Sequence, residues 1–151
     1  PLQSLCKAFE NETQLSIPVK TKKVVRRNRY FYYLVFKADG KTIIQPRGPN
    51  DIWEGLYEFP LIESETELTM VELIKKIQKK HPFVICREVN FNVHGSVKHI
   101  LTHQVLHAFF VTINLAKPLP SEYFVVSIEN VKEYPVSRLI EKYLKFDKNF
   151  T

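Results

Sequence analysis

Seven consecutive positions, Tyr30-Phe31-Tyr32-Tyr33-Leu34-Val35-Phe36, are aromatic or aliphatic with no polar alternation. Such a run predicts a strand covered on both faces. Val105 to Leu115 has the same character and predicts a second central strand. Ala38-Asp39-Gly40-Lys41 supplies the Asp-Gly pair of a tight hairpin, with Lys41 to Gln45 returning as a strand. Between Thr69 and Lys80 the period changes: Met70, Leu73, Ile74 and Ile77 form one helical stripe. Thr69 and Glu72 fit a capping box, Lys75, Lys76, Lys79 and Lys80 suit the helix's negative end, and Pro82 closes it. A β-rich stretch, Phe83 to Leu115, is expected to break at His94-Gly95-Ser96 and again at Leu101-Thr102-His103. Lys117-Pro118-Leu119-Pro120 ends it, and Tyr123 to Ile128 predicts a short strand. A last helix starts just after Pro135, with Val136, Leu139, Ile140, Tyr143 and Leu144 on one face. Strands, helix, strands, helix predict an α+β fold: a mixed β-sheet between flanking helices, an α-β-α sandwich.

The 151 residues suit one domain, and 44% hydrophobic with 13% aromatic content belongs to a folded chain. No apolar run approaches the roughly 20 residues of a membrane span, and the first residues lack a signal-peptide pattern. Cys6 and Cys86 make no disulfide framework, so a reducing compartment is expected. The net charge of +6 is unevenly spread. Lys20, Lys22, Lys23, Arg26, Arg27 and Arg29 fall within ten residues, while acids concentrate between Asp51 and Glu67. That segregation favours a polyanionic partner, although a solvated basic strand edge would look the same.

Ile52-Trp53-Glu54-Gly55-Leu56-Tyr57-Glu58-Phe59-Pro60 follows Gln45-Pro46-Arg47 and precedes Leu61-Ile62-Glu63. This layout resembles the way a Nudix-type domain enters its loop and helix. Taken with Ile17-Pro18-Val19-Lys20, Arg29-Tyr30-Phe31 and His99-Ile100-Leu101-Thr102-His103, the chain resembles the C-terminal domain of MutY-type adenine DNA glycosylases. The resemblance implies a Nudix-like lesion-recognition domain over residues 29–151, reading 8-oxoguanine opposite adenine in double-stranded DNA. Residues 1–28 would be the remnant of an iron–sulfur segment and an interdomain connector. Cys6, preceded by five residues, would be the orphaned fourth ligand of the parent's 4Fe-4S cluster. The fragment itself would then carry no cofactor and no glycosidic-bond cleavage. The parent's N-terminal catalytic domain would be its other partner, in a bacterial cytoplasm.

In a Nudix hydrolase, glutamates on the helix after the glycine hold divalent cations against a pyrophosphate. Counted from Gly55, the glutamate positions are Leu61, Met70, Leu73 and Ile74, with Thr69 at the signature's arginine, and none is acidic. The family's Phe-Ser-His recognition turn is matched by Leu101-Thr102-His103. Oxidation at C8 turns guanine N7 from an acceptor into an N–H donor, so a reader needs an acceptor there. A hydroxyl accepts, but it discriminates only when its own proton is engaged elsewhere. The DNA-contacting candidates are Leu101, Thr102, His103, His99, Arg47, Lys20, Lys22, Lys23, Arg26 and Arg27. His99, His103 and His107 recur every four residues, but in a strand four residues span roughly 13 Å, so they do not converge on one metal. Trp53, Tyr57 and Phe59 are read as packing, with a base-stacking platform as the alternative. Two other functions stay open: a Nudix hydrolase of oxidised nucleoside triphosphates, and a protein-interaction module.

Overall fold

The computed structural model describes residues 26–84 and 90–147. Residues 1–25 of the expected lead-in, Cys6, Lys20, Lys22 and Lys23 among them, lie outside the described residues, whereas Arg27 and Asn28 already belong to the first strand. Among the described residues there are eight strands and two α-helices: β1 Arg27–Lys37, β2 Lys41–Ile43, β3 Gln45–Pro46, β4 Tyr57–Glu58, β5 Leu61–Ser64, α1 Met70–Lys80, β6 Asn90–Ile100, β7 Gln104–Asn114, β8 Val125–Ser127 and α2 Arg138–Phe146.

The main sheet has the order β5-β1-β7-β6. β1 runs antiparallel to β5 and parallel to β7, and β7 runs antiparallel to β6, so the sheet is mixed. The two unalternating apolar runs are the two central strands, and Phe31 through Phe36 are all buried. Successive side chains of β1 divide between the faces. Phe31, Tyr33 and Val35 join Leu139, Ile140, Tyr143 and Leu144 of α2 in one core. Tyr32, Leu34 and Phe36 join Leu73 and Ile77 of α1 in the other. The predicted α-β-α sandwich is thus formed, with one helix per face. The tightest aromatic contact stacks Phe110 of β7 on Tyr143 of α2, ring centres 4.0 Å apart and 2° from parallel.

Local rules account for most element ends. Asp39 and Gly40 both take positive φ, 48° and 70°, and Ala38 and Lys41 exchange backbone hydrogen bonds. That is the type I′ turn Asp-Gly favours. Thr69 caps α1 in a full capping box with Glu72. Three expectations need adjusting. β6 is continuous through His94-Gly95-Ser96; the residues there form a register shift, a bulge, instead of a break. The returning strand is split, its first part pairing with β8 and its second with β4. α2 begins at Arg138 with Ser137 as cap, because Pro135 and Val136 are engaged in pairing with Tyr57. A 3-10 helix, Ile128–Glu133, precedes it. Among the described residues, no helix is long and apolar enough to cross a membrane.

Candidate nucleic-acid interface

β6 and β7 pair up to Ile100 and Val105, which leaves a short turn at one end of the sheet. Leu101 N–H donates to the Gln104 carbonyl at 2.9 Å and closes it. Thr102 and His103 at the tip are exposed, whereas Leu101 is half-buried and packs against the α2-side core. The start of β1 braces this turn, since the parallel register sets Arg27 beside Gln104. Arg26 Nε donates to the Thr102 carbonyl at 3.4 Å, and Arg27 N–H donates to the His103 carbonyl at 3.1 Å. Arg29 Nη1 reaches the side-chain oxygen of Gln104 at 3.2 Å. Both tip carbonyls are engaged, and the exposed side chains of Thr102 and His103 are among the polar groups the turn offers outward.

The three spaced histidines go to separate places. His99 lies against the Trp53 indole with ring centres 5.8 Å apart. His103 sits on the tip, and His107 stacks on Tyr30 at 4.8 Å while bonding Asn28 at 3.0 Å. Trp53 itself has φ of 63°, a conformation bulky side chains rarely adopt, in a loop where Asn50 and Gly55 also have positive φ. Tyr57 and Phe59 pack inward as expected, Phe59 fully buried and Tyr57 against Tyr134.

Behind the turn lies an ion-pair network that holds the Arg47–Glu58 segment to β1 and β5. Arg29 donates through both terminal nitrogens to Asp51, at 2.7 and 2.6 Å, and also to Glu63 at 2.6 Å. Arg47 donates to Glu58 at 2.8 Å, to Asp51 at 2.5 Å, to Glu63 at 3.0 Å and to the Ile52 carbonyl at 2.8 Å. Both guanidiniums sit over the Phe31 ring, 4.9 and 5.1 Å from its centre. Arg29's hydrogen bonds hold the Asp51 carboxyl well below the usual carboxylate range. Burial pushes Glu58 up, and the Arg47 charge pulls it partly back. Arg47 was expected at the DNA; it is instead 7% exposed, with all three guanidinium nitrogens committed inside the fold. A buried strand pair and a tight loop bring it three carboxylates, whose ion pairs and hydrogen bonds offset the desolvation cost of burying its charge.

The same network decides whether a divalent cation fits. Asp51, Glu58 and Glu63 line a cleft of about 370 Å³ with Gln45, Arg47 and Lys80. Their oxygens already accept from two guanidiniums, so a cation there would have to displace a fixed positive charge. α1 has a single acid, Glu72, whose carboxylate takes the backbone and hydroxyl donors of Thr69 at 2.9 and 2.8 Å. This holds however the motif is aligned, which matters because a count from Gly55 lands first on Leu61, buried in β5 ahead of the helix. Among the described residues no three His, Cys, Asp or Glu side chains are grouped to hold a metal. The residues present do not fit a Nudix cation cage.

Of the other candidates, Arg26 is exposed and Arg27 is mostly exposed while paired with Glu65. Arg29, Asp51 and Gln104, which tie the turn to the network, were not singled out from the sequence. The one hint was the separation of basic β1 residues from the acidic Asp51–Glu67 stretch, which β1–β5 pairing brings together.

Known proteins place this architecture. The NUDIX domain family profile matches residues 31–146. The adenine DNA glycosylase of Buchnera aphidicola subsp. Schizaphis graminum is 26% identical over 120 residues, covering 77% of this chain and 31% of that protein. The chain therefore spans about a third of the length of that relative. Among solved structures, the C-terminal domain of mouse MUTYH, crystallised with human PCNA, superposes with a TM-score of 0.58 at 19% identity, over 78% of this chain and 85% of that one. The MutT protein of Methanosarcina mazei Go1 superposes with a TM-score of 0.56 at 13% identity, over 83% and 95%. In this chain the family match runs from Phe31 within β1 to the end of α2 and takes in β7, both covering helices and the loop carrying Trp53 to Pro60, and the chain belongs to the NUDIX domain family.

Proposed function

We propose that this domain reads 8-oxoguanine opposite adenine in duplex DNA, as the lesion-recognition part of an adenine DNA glycosylase. The observation that carries it is the braced turn. Thr102 and His103 stand exposed at its tip while their carbonyls are held by Arg26 and Arg27. The N7–H of the oxidised base is a donor, and the Thr102 hydroxyl offers it an acceptor. The sequence kinship with a glycosylase of which the match covers 31% supports the assignment and leaves base excision, and any iron–sulfur cluster, to the rest of such a protein. General grip comes from phosphate contacts by the exposed cations near the start of β1, so affinity falls steeply with salt. The domain itself releases no pyrophosphate from 8-oxo-dGTP with magnesium, because its helix carries one acid, Glu72, already engaged by Thr69, where such chemistry needs several carboxylates.

Titration with a duplex carrying one 8-oxoguanine opposite adenine, followed by amide NMR, tests this. The largest lesion-dependent shifts are expected at Leu101 to Gln104. Lesion-dependent shifts confined to other elements would remove the turn from recognition.

A further inference from the structure

α1 carries Lys76, Lys79 and Lys80 at spacings of three and four, which puts their amines over one patch of helix surface. The three line a second cleft, of about 400 Å³, with Leu61, Ile62 and Glu63 of β5. It adjoins the arginine network, since Leu61, Glu63 and Lys80 line both clefts.

Charge in this corner does not cancel. In the network two guanidiniums face three carboxylates, leaving one negative charge, which Lys80 offsets. Lys80 is also immobilised, its amine donating to the Leu61 carbonyl at 2.7 Å. Lys76 and Lys79 remain. Both are exposed, and among the described residues neither forms an ion pair, although Lys76 lies one helical turn from Glu72 and acts on its charge. The helix's C-terminal end opposes an anion with roughly half a charge, less than two whole ammonium charges supply.

We infer that the cleft between β5 and the C-terminal half of α1 binds a phosphate group through Lys76 and Lys79, without a metal ion. Lys80 forms its fixed floor. A phosphate is favoured over a carboxylate because it brings more oxygen acceptors and up to two charges to amines about one helical turn apart. The phosphate can belong to a nucleic-acid backbone or to a free nucleotide, and the two are separable. Leu61 pairs with Tyr33, six residues along β1 from Arg27 at the turn, so cleft and turn lie about 20 Å apart along the sheet. One duplex spans that distance within a helical turn of roughly 34 Å.

The test titrates inorganic pyrophosphate into the 151-residue chain in EDTA by calorimetry. Binding is expected, weakened at least tenfold in a Lys76→Gln/Lys79→Gln variant and unchanged in Lys98→Gln, another exposed lysine. No binding in EDTA, equal loss in Lys98→Gln, an unaffected double variant, or equally good competition by polyglutamate would each overturn the site. Thermal unfolding of the double variant, expected unchanged, guards against a folding artefact. An undamaged duplex then assigns the source. If the backbone is the ligand, the slope of log K against log salt becomes shallower by about 2 in the double variant. If the slope holds while pyrophosphate binding is lost, the ligand is a free nucleotide. Neither readout involves Thr102, so failure here leaves lesion reading untouched, and the reverse also holds.

Discussion

Asp51 is where the Arg47–Glu58 segment meets the first strand: it takes donors from Arg29, from Arg47 and from the Ile52 backbone. Arg47 is the deeper partner, and its pairing with Glu58 is buried on both sides. Arg47→Ala would leave that carboxylate buried with its chief partner gone, and about 3–5 kcal/mol of stability should be lost in urea unfolding. Arg47→Met should recover part of it by filling the space above Phe31. Because Arg47 faces inward, DNA affinity of the folded fraction should change less than about twofold, below the effect of one hydrogen bond. Thr102→Ala should do the opposite, leaving stability unchanged and erasing preference for 8-oxoguanine over guanine opposite adenine. The turn itself was readable in advance, because it interrupts the apolar strand pattern at three consecutive residues. Arg47's partners were not, since Glu58 and Glu63 reach it only through β3–β4 pairing and the β1–β5 register.

At the scale of elements, α1 ends on His81, which caps the helix, is 3% exposed, and packs among Phe36, Phe83 and Tyr123. Burial, helped by Lys80, pushes its imidazole down to about 4. The folded chain therefore holds His81 neutral while the unfolded chain takes up a proton below its ordinary value of 6.5. Stability is full above pH 6.5 and is lost as pH falls toward 4, by roughly 2–3 kcal/mol at most. Urea unfolding across that window should show the slope, and His81→Phe should flatten it. The helix and the two central strands were legible because period and apolar runs are local properties. The bulge in β6 and the division of the strand after Gly40 were not. Each depends on which distant strand supplies the pairing edge, and Gly95 alone could mark either a bulge or a break.

For the whole molecule, the net positive charge predicted a polyanionic partner, but charge alone does not say which cations face out. Arg29 and Arg47 are spent internally, while Arg26, Arg27, Lys76 and Lys79 stay at the surface. The domain thus keeps the NUDIX architecture while two guanidiniums occupy the cluster of Asp51, Glu58 and Glu63 and α1 carries four lysines to one acid. On the proposed function, its working end is the turn between β6 and β7. The most direct measurement compares binding of this chain to two duplexes that differ only in one C8 oxygen on the guanine opposite adenine, at low and high salt. Both affinities should fall steeply with salt. The oxidised duplex should keep a preference of roughly 2- to 12-fold, the worth of one hydrogen bond, and Thr102→Ala should abolish it. Equal affinities for the two duplexes, or a preference that survives Thr102→Ala, would contradict the account.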